Sequence, residues 1–242
     1  MIVGTRGSRT QAKICGITRP EDARLAEEGG ASYVGAVLVP GSPRYLDPEG
    51  ARRVADAVAI PLVVVTANLT AVEAHAAAEA AGARAIQLHG DESGETIVAL
   101  RELDAASGAS PRELWKAVRV RGNGEGSGPP GAAAAQVGEA LRRWAPLVDV
   151  LLLDAWSPSA LGGTGTSFPW EALEALDALR AQLPPGFRLG VAGGLDPGNV
   201  AEAIRRLRPD LVDVSSGVEA SPGVKDPARI RAFLLAVDET QG

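Results

Sequence analysis

Eight short runs rich in valine, leucine and isoleucine alternate with eight alanine-rich stretches along nearly the whole chain, and this alternation limits the fold more than any other feature. A repeat of strand and helix builds parallel sheet, because parallel neighbours need a crossover between them. The predicted strands are residues 12–16, 33–39, 62–67, 84–89, 113–120, 148–154, 188–193 and 211–217. Helices are predicted over 20–28, 47–58, 71–81, 93–103, 132–144, 170–183, 197–207 and 226–237. The strands are apolar along their length without clean alternation, as expected when both faces of a parallel sheet are covered. Eight such units in about 230 residues match an α/β fold of one type, the single (β/α)8 TIM barrel. The competing fold, an open doubly wound sheet, usually carries GxGxxG in its first turn, and that fingerprint is absent. Residues 12–242 are therefore read as one barrel domain and 1–11 as a flexible tail. A Gly/Pro-rich loop at 122–131, GNGEGSGPPG, follows the fifth strand and would sit on the rim as a tolerated insertion more readily than as a lid.

Composition narrows the partners. Apolar residues make up 45% and charged residues 22% of the 242, the balance of a chain with a substantial core. Net charge is −6, and lysine and arginine are scattered among acids, so no nucleic-acid footprint is present. No apolar run reaches the ~18–20 residues that span a bilayer, and residues 1–11 lack a signal peptide's apolar region. A cytoplasmic protein with no membrane partner is expected. One cysteine, Cys15, forms no internal disulfide, and with only His75 and His89 beside it no Cys/His metal site is expected.

In such barrels the active site forms at the C-terminal ends of the strands. Those ends present Cys15, Ser42 to Arg44, Asn68, His89, Arg121, Asp154, Gly193-Gly194 and Ser215-Ser216-Gly217. The turns AGGLDPGNV and DVSSGVEASPGVKD follow strands seven and eight, where barrels often hold a phosphate, with Asp196 and Pro197 read as cap and first residue of the next helix. LGGTGTSFPW adds a third glycine turn after strand six, with Gly163 and Gly165. Glycines let backbone N–H groups approach an anion closely, so a small phosphorylated molecule is the expected ligand. Asp154 ends the predicted strand VDVLLLD, where an aspartate opposite a thiol suits general acid work, and Arg44 in GSPRYLDP suits a carboxylate. His89 in QLHGD is as readily a strand-end histidine as a ligand contact, while His75 lies mid-helix and reads as structural or solvent-facing.

The ordered motifs KICGIT, GSPRYL, QLHGD, LLLDAW…GGTGTSFPW, AGGLDPGNV and DVSSGVE…GVKD resemble the phosphoribosylanthranilate isomerase family of tryptophan biosynthesis, from Lys13 to Val237. The resemblance implies an Amadori rearrangement of N-(5′-phosphoribosyl)anthranilate to 1-(2-carboxyphenylamino)-1-deoxyribulose 5-phosphate, without metal or organic cofactor. It also implies Cys15 as general base, with Gly16 leaving room for the sugar, and Asp154 as general acid. Arg44 would bind the anthranilate carboxylate, and Gly193, Gly194, Ser216, Gly217, Gly163 and Gly165 the phosphate. The base acts only as thiolate, and TRPE, Thr18 to Glu21, has the spacing of a capping box for the first helix, whose dipole would favour the anion if it points toward Cys15. Several positions depart from the family pattern: strands two and three read GAVL and VVVTAN where aromatic residues are common, Pro169 replaces a common aspartate, and the 122–131 loop is extended. A monomer or homodimer is expected. Competing readings are another phosphosugar barrel, including a synthase-like one using Lys116, and a non-catalytic phosphate-ligand binder.

Overall fold

A computed structural model describes residues 9–121, 132–156 and 183–240. The 122–131 loop, the turn with Gly163, Gly165 and Pro169, and all but the last residue of the helix expected over 170–183 lie outside the described residues. Eight parallel strands close into a barrel in sequence order: β1 Gln11–Ile14, β2 Tyr33–Val37, β3 Leu62–Thr66, β4 Ala85–Leu88, β5 Glu113–Arg121, β6 Val150–Trp156, β7 Arg188–Ala192 and β8 Leu211–Val214. Closure is direct, since β1 pairs with both β2 and β8. The first strand begins at Gln11, one residue earlier than predicted, and Thr10 already donates through Oγ1 to the Pro209 carbonyl.

The described helices are α1 Pro20–Glu28, α2 Pro48–Ala55, α3 Ala71–Ala80, α4 Gly94–Ala106, α5 Ala132–Trp144, α6 Val200–Leu207 and α7 Pro227–Glu239. Their starts follow local chemistry: Thr70 and Glu73 form a reciprocal capping box on α3, and Asp226 caps α7 ahead of Pro227. After β8 a 3-10 turn, Ser216–Val218, leads into a two-stranded ribbon, β9 Glu219–Ser221 and β10 Val224–Lys225.

Strands that look uniformly apolar do alternate, between two different buried faces. Tyr33, Val63, Ala85, Trp115, Val150, Leu152 and Leu211 fill the barrel interior. Their neighbours Val34, Val64, Ile86, Leu114, Leu151, Leu153 and Val212 pack outward with the helices. This period of two decides which strand residues reach the mouth. Towards the N-terminal ends, Arg188 donates to the Tyr33 hydroxyl (2.7 Å) and Gln11 (2.9 Å) and pairs with Glu113 (2.7 Å), while Tyr33 stands edge-on to Trp115. Side chains thus fill that end of the barrel, and a cavity of about 410 Å³ opens at the other.

Candidate active site

Cys15 follows β1 and continues the inward parity of Lys13. Its backbone N–H donates to the Val214 carbonyl (2.8 Å), which fixes the thiol beside β8 at the cavity wall. Gly35 on β2 faces it: a Cβ there would stand 3.0 Å from Sγ, so only glycine leaves the thiol its space.

Lys13 lies beneath the thiol and is fully buried. Its Nζ donates to Gln87 Oε1 (2.6 Å), Asp213 Oδ2 (2.9 Å) and Cys15 Sγ (3.3 Å), using all three donors of an ammonium. Burial opposes the charge on Lys13, but the Asp213 carboxylate and the thiol outweigh it and hold the lysine above its ordinary value. Cys15 shows the converse: burial pushes the thiol up, Lys13 and Lys225 pull it down, Asp213 adds to the rise, and the thiol ends above its ordinary value. The cavity wall therefore holds a thiol that resists ionisation, with an ammonium already in place beside it.

Asp154 stands at the mouth end of β6, with Oδ2 3.3 Å from His89 Nε2. The other ring nitrogen of His89 lies 3.1 Å from the Gln87 amide. Both line the cavity, so the predicted acid and the strand-end histidine share one edge of the site. On β5 the cavity residue is Arg119, in register with Asp154, two residues before the predicted Arg121, whose side chain is not described. The wall across β2 and β3 is aliphatic, built by Val37, Val39, Val65 and Ala67, in keeping with the missing aromatics.

Arg44 lines the cavity, and its Nε and Nη2 make a bidentate pair with Glu219 (2.7 and 2.6 Å). Glu219 also receives Lys225 Nζ (3.0 Å). Burial works against the Glu219 carboxylate, yet Arg44 and Lys225 hold it below the ordinary glutamate value.

Gly193 and Gly194 adopt φ of +88° and +64°, the left-handed region that favours glycine, and with Ser216 they form the β7–β8 side of the mouth. Gly217 is not among the residues that line this cavity; a Cβ there would lie 2.0 Å from the Leu195 carbonyl oxygen, so its absence lets the two turns meet. Asp196 does not cap α6, which begins at Val200. Its Oδ1 accepts from Gly198 N (2.7 Å) and Asn199 N (3.0 Å), closing a turn ahead of the helix.

Other expectations need correction. Gly16 does not leave room for a ligand: a Cβ there would stand 2.5 Å from Arg44 Cδ and 2.8 Å from Ser215 Oγ, so those side chains already use the space. The TRPE capping box does not form either, because Thr18 donates to the Gly223 carbonyl and Arg19 is the N-cap of α1, with no side-chain cap. Asn68 lies outside the cavity wall and accepts from Asp91 N. His75 is structural, with Nδ1 3.1 Å from Asp104 on the neighbouring helix. Lys116 points away from the mouth, tied to Glu92 (2.9 Å) and the Gly90 carbonyl (2.6 Å) over the Trp144 ring. Sequence reasoning missed Lys13, Asp213, Gln87, Arg119 and Glu219. The available signal for the first three was their position two residues before an expected site residue on the same strand, hence on the same face.

A closed barrel with a thiol, an acid and a glycine turn around one mouth has the layout of an enzyme of the (β/α)8 class. Comparison with known proteins makes this particular. Residues 12–111 and 133–236 match the family described as N-(5'phosphoribosyl)anthranilate (PRA) isomerase. A curated N-(5'-phosphoribosyl)anthranilate isomerase of Citrifermentans bemidjiense is 39% identical over 229 residues, covering 93% of this chain and 95% of its own. The crystal structure of phosphoribosyl anthranilate isomerase from Thermotoga maritima superposes with a TM-score of 0.77 at 34% identity, over 95% of this chain and 99% of that one. A second such structure, in complex with reduced 1-(o-carboxyphenylamino)-1-deoxyribulose 5-phosphate, gives a TM-score of 0.74 at 31% identity over the same shares. The chain belongs to the phosphoribosylanthranilate isomerase family.

Proposed function

We propose that this mouth carries out the Amadori rearrangement of N-(5′-phosphoribosyl)anthranilate, with Asp154 as general acid and Cys15 as general base. The observation that carries the reading is that thiol and carboxyl line one cavity in a chain of this family. Asp154 protonates the ribose ring oxygen, the ring opens to an iminium, and the thiolate of Cys15 takes the proton from C2. Charge is arranged for this sequence: Lys13 stands ready for the developing thiolate, and His89 beside Asp154 orients the acid.

Arg44 meets the anthranilate carboxylate through its Nη1 edge, since Glu219 holds the opposite edge and fixes the guanidinium plane. Gly193, Gly194 and Ser216 receive the phosphate, helped by the close packing that Gly217 permits; Gly163 and Gly165 complete the same cradle in this reading. Two anion sites orient the sugar between base and acid. The chemistry needs no metal or organic cofactor. The reading places the enzyme in the cytoplasm, working as a monomer or homodimer; one related structure is of monomers made from a dimeric Thermotoga maritima isomerase. Among the described residues no helix is long and apolar enough to cross a membrane. The buried ties of Lys116 argue against a synthase-like reaction through that lysine.

The test is turnover of freshly generated phosphoribosylanthranilate, followed by loss of its fluorescence. Wild type should turn over, while Cys15→Ser and Asp154→Asn each fall by at least about 100-fold, within the usual range for removing a general acid or base. A wild type that binds the reduced product analogue tightly without turnover would make the protein a binder.

A further inference from the structure

The proton balance of this isomerisation leaves one proton to place. Asp154 gives one proton to the ring oxygen. Cys15, as thiolate after its own proton has left to solvent, takes the proton from C2 and returns it to C1, so from there its account closes on itself. Between those steps stands an enolamine with a hydroxyl on C2, and that O–H bond must break for the ketone to form. The acceptor has to lie beside Cys15, because the hydroxyl sits on the same carbon that the thiolate deprotonates.

We propose that Asp213 is that acceptor, a catalytic residue whose Oδ1 takes the proton of the C2 hydroxyl as the enolamine becomes the ketone; the assignment rests on the isomerase reading above. Asp213 lines the cavity with 6% of its surface exposed, and its Oδ1 is buried without a hydrogen-bond partner among the described residues. Its other oxygen shares the Lys13 ammonium with Cys15 (2.9 and 3.3 Å), which puts carboxylate and thiol side by side. β1–β8 pairing fixes this arrangement, since Lys13 is in register with Asp213 and Cys15 follows two residues on.

The neighbouring groups do not compete. A protonated Lys13 only donates. Gln87 spends Oε1 on Lys13, and its amide faces His89. His89 pairs with Asp154, the acid of the first step. Ser215 Oγ is also buried without a partner among the described residues, but a hydroxyl is no base at neutral pH. The unspent oxygen of Asp213 matches a ligand group that donates a hydrogen bond, and leaving it unmatched in a buried site is costly.

In the step itself the thiol proton goes to C1 as the electrons of the C1–C2 double bond form the new C–H bond. The electrons of the O–H bond become the second bond of the C2 carbonyl, and the proton passes to Oδ1. C1 is reduced and C2 oxidised within one molecule, so no outside oxidant or reductant enters. Asp154 has lost one proton and Asp213 has gained one, and exchange with water restores both.

Two ligands and one variant test the assignment. Calorimetric titration compares the reduced product analogue, which carries a C2 hydroxyl, with its 2-deoxy counterpart. Wild type should prefer the hydroxyl analogue about 10- to 100-fold, the range for a hydrogen bond to a charged acceptor. In Asp213→Asn the preference should shrink to about 3-fold or less. Equal affinity of wild type for both analogues overturns the assignment and needs no variant to fold; binding of neither overturns the isomerase reading and this assignment with it. The second arm measures turnover in D2O with a folded Asp213→Asn. Loss of the acceptor should let the enolamine return to substrate, so recovered substrate carries more C2 deuterium per product formed than with wild type. An unchanged ratio alongside slowed turnover would reduce Asp213 to a support for Lys13 and refute the proton-acceptor role.

Discussion

Replacing Lys13 by methionine isolates the electrostatic device beneath the thiol, because methionine keeps most of the side-chain volume and removes the charge. At 3.3 Å, a unit pair in an effective dielectric of about 20 interacts by about 5 kcal/mol. Water entering the vacated volume and relaxation of Asp213 offset part of this. If about half survives, the thiolate population at a fixed pH falls by about 100-fold, taking 1.36 kcal/mol per tenfold. Cys15 is the only cysteine, so iodoacetamide reports on this thiol alone. The expected result is a fall of about 100-fold in the alkylation rate at pH 8, with the rate recovering only at higher pH. Turnover should fall in parallel and regain ground at alkaline pH. The variant also strands Asp213 beside an empty site, which costs about 3–5 kcal/mol of stability by the usual measure of a broken buried pair, so folding is checked by circular dichroism first. An alkylation rate within about 3-fold of wild type, in a folded variant, would refute the idea that Lys13 sets the thiolate.

Two further predictions concern the scaffold. Gly217→Ala places a methyl 2.0 Å from the Leu195 carbonyl oxygen, a backbone clash that must part the β7 and β8 turns; KM for the phosphorylated substrate should rise at least about 10-fold, with about 1–3 kcal/mol of stability lost in urea unfolding. Burial opposes the charge on Glu92, yet hydrogen bonds from Lys116 and backbone N–H groups hold its carboxyl below the ordinary glutamate value. A carboxyl depressed on folding adds stability that is complete above its unfolded value and is lost as pH falls through its folded one. The melting temperature should therefore drop on acidification below the ordinary glutamate range, more shallowly in Glu92→Gln, and an equal slope in both proteins would refute the role of Glu92.

The barrel is legible in the sequence because each strand is short, apolar and followed by a helix, and because eight such units leave few ways to pair. The site is legible only at its rim. Cys15, His89 and Asp154 end their strands, and that position marks them without knowledge of neighbours. Lys13, Gln87 and Asp213 lie one step deeper, inside apolar runs, where a polar side chain reads as an interruption of the strand. Their contacts join residues 74 and 200 apart, so only the closed barrel brings them together. Arg44 and Glu219 are 175 apart, and the contact depends on how the β9–β10 ribbon folds back over the mouth. Gly16 illustrates the same limit from the other side: the residue type signals a close approach, but not whether a ligand or Arg44 makes it.

A thiol that resists ionisation bears on the order of events. Lys13, Lys225 and Arg44 surround Cys15 with positive charge, while Asp213 and Glu219 offset part of it, and burial leaves the thiol protonated. Such a group does not deprotonate an ordinary sugar carbon. Ring opening alters both partners at once, since the iminium formed after Asp154 acts makes the C2 hydrogen more acidic and adds a positive charge beside Sγ. The substrate carboxylate at Arg44 works against this but at the far side of the aromatic ring, so the nearer iminium dominates. Proton transfer from Asp154 should then precede and enable loss of the thiol proton to solvent, and the resulting thiolate takes the proton from C2. In Asp154→Asn, C2 hydrogen exchange should consequently be lost together with turnover. Exchange that persists in that variant while product formation stops would show that the thiol works without ring opening, and would refute the order.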